Sequence, residues 1–508
     1  MAAIEQKDER GLVVVIGGGI TGLAAAHRLI ERGPSGGPNP RVVVLEAADR
    51  AGGLIRTERH GEYVLEGGPD AIVTQKPAGL ALCTRLGLGS ELCELGGARS
   101  GAQILHRGRL YAVPQGFLMM APTRIGPVLA SSLFSWSGKL RMLCEPFVKR
   151  RGGDCDDESL ASFVRRRFGR EVLERVAEPV IASLFTADAD RLSLRMTMPR
   201  FLDLEAEEGS VTAGLRRAAR AKARGGPFGH GTGKSGFVAL RGGTSRIVEA
   251  ILARLPDGCV RTGARVEAVA ASPSGGWVLR LADGEALRAD AVVFACSGEE
   301  AARALRAHDE VLAGELSRLR YASCATVNVA YRKEDVAARL QGFGFFVPRG
   351  ENAPILACSY VTEKFEGRAP EGSLVFRAFL GGATRPDALD GSDDALIRET
   401  HETLSRVLQI SGAPVFAKVY RSERAMPQFD VEAKASIASI DRRAGTSPGL
   451  FLAGSVAGAF GLPDCIRSGE QSAERAAAFL AYDQRSVALA TTVPGSSAWV
   501  ANQANQNA

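Results

Sequence analysis

Two short apolar runs stand near the start of the chain, Leu12–Ile16 (LVVVI) and Arg41–Leu45 (RVVVL). β-Branched runs of this length, without polar alternation, predict strands buried on both faces of a parallel sheet. Between them, residues 23–32 are rich in Ala and Leu and predict a helix, so the head of the chain reads as strand–helix–strand. Similar runs recur in the middle at residues 291–295 (AVVFA) and near the end at 450–453 (LFLA), and residues 262–269 (TGARVEAV) fit the same middle part. Together they predict an α/β fold whose Rossmann-like domain is discontinuous, built from head, middle and tail, with α+β lobes inserted. Residues 116–134 (GFLMMAPTRIGPVLASSLF) are apolar but broken by Pro122, Arg124 and Pro127. Lys139, Arg141, Lys149, Arg150 and Arg151 follow. Two readings stay open for this helical lobe: a buried element at the lip of an apolar pocket, or a peripheral membrane patch with a basic fringe. From Gln484 onward the chain is rich in Ser, Ala, Asn and Gln without periodicity, which predicts a disordered tail.

The chemistry begins where the first run ends. Gly17, Gly18, Gly19, Ile20, Thr21 and Gly22 fit G-x-G-x-x-G. The first glycine permits the tight turn, the second lets backbone approach a pyrophosphate, and the third lets helix pack on strand. The helix N-terminus adds free N–H groups and a positive dipole end. Glu46 closes the second strand as the candidate ligand for ribose hydroxyls, with residues 34–40 (PSGGPNP) read as a surface insertion. Beyond it stand Gly52 and Gly53. The whole resembles the E-x(5)-G-G extension of FAD-binding proteins in the flavin amine oxidase superfamily. A second glycine turn lets the chain pass close to a long cofactor lying across the sheet. Near the end, Gly454, Gly458 and Gly461 precede Leu462, Pro463, Asp464 and Cys465, a strand-to-helix junction able to present N–H groups to an isoalloxazine ring.

Composition narrows the class. The 508 residues carry 63 Lys and Arg against 57 Asp and Glu, a formal charge of +6, too mild for a dedicated nucleic-acid binder. With 45% hydrophobic and 24% charged residues, wholesale disorder is excluded. Nine scattered cysteines without a C-x-x-C pair read as reduced thiols, and the polar first ten residues show no signal peptide, so a cytoplasmic protein is expected. No apolar run reaches the ~18 residues of a spanning helix. Gly233, Lys234 and Ser235 imitate a P-loop, but Phe228 stands where its first glycine belongs. The six histidines lack metal-ligand spacing and read as surface residues, so no metal is expected.

Several separated blocks make the resemblance specific. GGGITGLAAA at 17–26, YVLEGGPDA at 63–71, ESLASFVRRRFG at 158–169, EPVIASLFTADADRLSL at 178–194, LRGGTSRIVEAI at 240–251, GFGFFVP at 342–348, AMPQF at 425–429 and GLPDCIRSG at 461–469 resemble, in order and spacing, the oxygen-dependent porphyrinogen oxidases of late haem biosynthesis. The resemblance implies oxidation of a porphyrinogen to the porphyrin, with FAD as cofactor, O2 as acceptor and hydrogen peroxide as by-product. Residues 114–142, Lys76, and Ala102 where animal and plant protoporphyrinogen enzymes carry arginine favour coproporphyrinogen III over protoporphyrinogen IX, which stays as the alternative. Glu432, after Phe429, Asp430 and Val431, and Ala459, before Phe460 and Gly461, depart from the family pattern.

By the same resemblance, FAD would be held by the six residues of the first glycine loop, by Glu46, Gly52, Gly53, Gly68, Pro69, Asp70, Ala71 and Val266, and by Gly454, Phe460, Gly461 and Leu462. Phe343, Gly344, Phe346 and Phe379 would line the substrate slot and Lys76 would meet a propionate. Because the cofactor carries the hard chemistry, an apolar slot with a few cations is expected in place of a catalytic triad. The expected organisation is FAD-binding domain at 1–85, 236–308 and 441–482, helical lobe at 86–205, substrate lobe at 309–440 and tail at 483–508. Neighbouring haem-pathway enzymes and the inner face of the cell membrane are the further partners implied. Another superfamily oxidoreductase, such as an amine oxidase or carotenoid desaturase, and a non-catalytic flavin-fold carrier remain as rivals.

Overall fold

A computed structural model describes residues 11–31, 39–95, 101–152, 157–223 and 236–492. Most of the 34–40 insertion, the Gly233–Lys234–Ser235 sequence and everything after Thr492 lie outside the described residues.

The apolar runs assemble as parallel strands in the order Val260–Arg261, Arg41–Leu45, Leu12–Ile16, Ala291–Phe294 and Leu450–Leu452. Successive side chains point to opposite faces, so each run feeds two cores. Val13, Val15, Val42, Val44 and Val293 pack against helices Ile20–Glu31, Ser245–Leu252 and Leu462–Thr492. Val14, Ile16, Val292 and Phe294 face an antiparallel meander (Val266–Ala271, Trp277–Leu281, Ala286–Ala289) and helices Gly298–Leu305, Glu310–Ser317 and Ala433–Ala444. The result is a three-layer unit threaded from distant parts of the chain.

The second sheet has seven strands in the order Phe416–Pro427, Tyr321–Arg332, Ser373–Gly381, Ile355–Tyr360, Gly344–Phe346, Gln103–His106 and Arg109–Ala112. One face, with Val327, Val329, Phe345, Phe376, Ala378 and Leu380, is covered by Leu396, Leu404 and Leu408 of helix Asp393–Leu408. The other face looks toward the parallel-sheet unit. The last two strands come from the segment assigned by sequence to the helical lobe. They form a tight hairpin because Arg107 and Gly108 both take positive φ, 50° and 74°, as a type I′ turn requires. Residues 345 and 346 pair in parallel with Gln103 and Ile104.

The helical lobe contains Ile125–Ala130, Trp136–Leu143, Leu160–Arg167, Glu178–Leu184, Leu194–Thr197, Pro199–Glu208 and Val211–Ala223. Ser135, Ser159 and Ser193 cap three of these by accepting the N–H of Gly138, Ser162 and Met196. A π turn at Leu173–Ala177 precedes Pro179, whose missing N–H and bulky ring interrupt the regular ladder there. Arg167, fully buried, donates to Glu145 (3.2 Å) and to the carbonyls of Gly209 (2.9 Å) and Val148 (3.1 Å), tying loops to helices.

Two sequence expectations are corrected. The last helix continues to Thr492, through residues placed in a disordered tail; residues 484–492 (QRSVALATT) hold no Gly or Pro to end it. His27 is buried, not superficial, because its helix packs within the first core; burial lowers its pKa.

Candidate cofactor and substrate site

Strand Leu12–Ile16 delivers the glycine loop to the carboxyl edge of the parallel sheet, beside the start of helix Ile20–Glu31. Gly17 has φ 106° and donates to Leu45 O at 2.8 Å, and a Cβ there would sit 2.8 Å from Ala295 O. A Cβ on Gly22 would collide with Gly17 O. Both positions therefore exclude every residue but glycine. Gly18 N donates to Glu46 Oε2 at 2.6 Å and Ala48 N to Glu46 Oε1 at 2.8 Å, which fixes the carboxylate at the strand end with lone pairs left for further donors. The first-turn N–H groups, including those of Ile20, Thr21 and Gly22, have no intrahelical acceptors.

The second glycine turn lies directly on the first. Gly52 N donates to Gly18 O at 2.8 Å, and Gly53, at φ 56°, brings its Cβ position to 3.0 Å from Gly19 Cα. Arg50, not singled out by sequence, closes this turn by donating to Gly53 O at 2.6 Å and Ile55 O at 3.1 Å. A Cβ on Gly68 would collide with Leu54 O, so the stretch containing Gly68, Pro69, Asp70 and Ala71 is seated on the second turn in its own right. Gly263 and Ala264 donate to Ala48 O and Glu46 O, both at 2.8 Å, bringing the start of the strand that holds Val266 alongside Glu46.

From the tail, Gly454 takes φ 76° and donates to Ser468 Oγ at 2.9 Å, with Thr21 Oγ1 3.1 Å from its Cβ position. Gly461, at φ 77°, has no atom within 4 Å of its Cβ position, so it borders open space. Leu462 is buried, and Phe460 stacks on Phe185 at 4.7 Å and meets Phe429 edge-on at 6.3 Å. Ala459 is buried within its own loop, donating to Gly454 O at 3.0 Å. Glu432 caps helix Ala433–Ala444 without a side-chain bond, and neighbouring Asp430 binds Arg191 (2.8 Å) and Arg320 (2.6 Å).

The facing side of the seven-stranded sheet lies over residues 66–70. Thr326 Oγ1 donates to Gly67 O at 3.3 Å and Asn328 Nδ2 to Glu66 O at 3.2 Å. Arg377, on the same face, donates to Gly68 O and lies 3.4 Å from Asp70 Oδ2, and its guanidinium sits 4.8 Å above the Phe379 ring. Lys364 binds both Asp70 oxygens, at 3.0 and 2.9 Å. Burial opposes ionisation of Asp70, but Lys364 and Arg377 outweigh it and hold the carboxyl below its usual range. Glu66 is paired with buried Arg368 at 3.1 Å, and burial pushes its pKa up against that pairing. Sequence reasoning missed Lys364, Arg368 and Arg377; the available signal was a cation inside an otherwise apolar strand, SLVFRAFLG.

The slot candidates fall on two sides of this face. Phe343 packs in the cluster that includes Ala71, Val375 and Tyr420, while Phe346 packs on the helical lobe. Phe345 between them points into the opposite core. Gly344, at φ 146°, would drive a Cβ into Cys358 O. Lys76 is half exposed and ion-paired with Asp464, on the first turn of the last helix.

Comparison with known proteins decides the family. The model of the flavin containing amine oxidoreductase family matches residues 20–477. This chain belongs to that family. Its cofactor is FAD, and the residues fit it: glycines bare of Cβ, uncommitted N–H groups, a fixed carboxylate and open space beside Gly461. Among family relatives, the chain is 32% identical to the coproporphyrinogen III oxidase of Bacillus subtilis over 93% of this chain and 99% of that one. It is 31% identical to the protoporphyrinogen oxidase of Bos taurus over 91% of this chain and 98% of that one. A solved structure from Exiguobacterium sp. 255-15 superposes with a TM-score of 0.79 at 26% identity, covering 92% of this chain and 99% of that chain.

Proposed function

We propose that this chain oxidises a porphyrinogen to the porphyrin in haem biosynthesis, with coproporphyrinogen III as substrate and O2 as acceptor. The observation that carries the proposal is near full-length similarity to relatives bearing these names, joined to a sheet face that sets Arg377 and the Phe379 ring by residues 68–70. When bound, FAD supplies the hydride acceptor and the site that O2 reoxidises. The chain's own task is to hold the cofactor extended and to orient a flexible macrocycle against it. In our reading, residues 17–22 and Glu46 take the pyrophosphate and ribose, Gly52, Gly53, Val266 and residues 68–71 line the cofactor's length, and Gly454, Phe460, Gly461 and Leu462 meet the ring system. Phe343, Gly344, Phe346 and Phe379 form the slot. The preference for coproporphyrinogen III rests on the similarity to relatives bearing that name. Protoporphyrinogen IX is the second reading, favoured by the similarity to the Bos taurus enzyme.

Among the described residues no helix is long and apolar enough to cross a membrane. Trp136, Leu140 and Phe147 are nevertheless 75%, 63% and 87% exposed on the helical lobe, next to exposed Lys149, Arg150 and Arg151. We read this as a surface for peripheral contact with an anionic membrane, in a cytoplasmic protein. The test of function is direct. Yellow holoprotein in air-saturated buffer should generate porphyrin fluorescence and peroxide from coproporphyrinogen III; a flavin-loaded protein that yields neither from any porphyrinogen overturns the proposal.

A further inference from the structure

Residues of the cofactor side and residues of the slot side are joined through one buried cation. Arg377 lies mid-strand in Ser373–Gly381, paired with Asn328 and Ser359 on its neighbours, and its side chain is 4% exposed. One end of the guanidinium holds Gly68 O and Asp70, while its face covers the Phe379 ring at 4.8 Å. Gly68 in turn presses on Leu54 O, just past the Gly53 that touches Gly19. A continuous packed path therefore runs from the dinucleotide loop through the second glycine turn and Gly68 to Arg377 and Phe379. Thr326 and Asn328 bridge the same gap, but by single neutral hydrogen bonds longer than 3 Å.

We propose that Arg377 is a positioning residue that sets the placement of the Phe379 ring relative to the cofactor-side backbone at residues 68–70. Only a guanidinium meets all three demands: a planar face for the ring, a fork for carbonyl and carboxylate, and a permanent charge opposite Asp70. Lys364 neutralises Asp70 from the other side, so the carboxylate is shared between two cations, and Arg377 is not committed to it alone. Its Nε finds no acceptor among the described residues, so the arginine carries a further buried donor at this boundary. Misplacement of a slot ring by about an ångström costs up to ~100-fold in rate, whereas ground-state affinity suffers less.

The inference rests on the porphyrinogen reading above. Its test is a double-mutant cycle on flavin-loaded protein with Arg377→Gln, Phe379→Leu and the pair, measuring kcat and KM for coproporphyrinogen III and the affinity for coproporphyrin III by porphyrin fluorescence. Arg377→Gln should lower kcat at least tenfold, while KM and the affinity for coproporphyrin III move less than threefold. Its effect should shrink in the Phe379→Leu background. Arg377→Lys, which keeps the charge, should recover part of kcat and stands in if the glutamine variant loses flavin or fails to fold. Arg377 variants that retain flavin, kcat and porphyrin affinity within twofold overturn the inference, as do losses that simply add to those of Phe379→Leu or a lysine variant no better than glutamine. Wild-type holoprotein inactive on every porphyrinogen overturns the functional reading first and this inference with it.

Discussion

Gly22 and Gly461 are both glycines of the proposed cofactor site, yet they are constrained for different reasons. A methyl group on Gly22 collides with the carbonyl of Gly17, whereas one on Gly461 enters open space at φ 77°. Gly22→Ala must move the loop off its helix, at ~1–3 kcal/mol for forced packing, and should weaken FAD binding at least about tenfold by flavin fluorescence titration. Asp70 presents the opposite case, a charge whose removal is felt through its partners. Asp70→Asn leaves Lys364 and Arg377 facing each other without their shared anion, which should cost about 3 kcal/mol at neutral pH. Because the folded pKa of Asp70 lies below its unfolded value, its contribution is complete above about pH 4 and is lost as pH falls through the folded pKa. Urea titrations of both proteins should thus differ most near neutrality and converge in acid; a constant difference down to pH 2 would contradict this electrostatic account.

At the scale of elements, legibility followed locality. The parallel strands and the glycine turns were readable because each is a contiguous signal: a β-branched run, then glycines at fixed spacing. Glu46 could be placed at a strand end for the same reason, although its role in holding Gly18 N and Ala48 N emerges only from the loop's geometry. The hairpin Gln103–His106 and Arg109–Ala112 was not assignable to the second sheet, since its partner strand Gly344–Phe346 lies more than two hundred residues away. Arg377 and Asp70 are separated likewise, so only the tertiary fold turns an odd strand cation into half of a bridge. Helix Trp136–Leu143 carries the element-level prediction. Its exposed Trp136 and Leu140, with nearby Phe147, should insert into an anionic interface, aided by the basic fringe. Replacing Leu140 and Phe147 with Asp should abolish most co-flotation with phosphatidylglycerol-containing vesicles while leaving turnover of soluble substrate unchanged; undiminished flotation would show that contact is made elsewhere.

Across the whole molecule, the parallel-sheet unit carries the proposed cofactor site, the seven-stranded sheet lays its polar-aromatic face over residues 66–70, and the helical lobe packs against Phe346 and Phe460. Each part is assembled from distant stretches of chain, so neither site is complete in any one contiguous segment. In the proposed reading a large, flexible substrate lies between the cofactor and this sheet. The most direct test of the central claim is a paired measurement of kcat/KM for coproporphyrinogen III and protoporphyrinogen IX on one preparation of holoprotein in air. The account predicts turnover of both with coproporphyrinogen III preferred at least about tenfold, a difference of ~1.4 kcal/mol. Equal or reversed preference would contradict the substrate assignment, and absence of turnover on both would contradict the function itself.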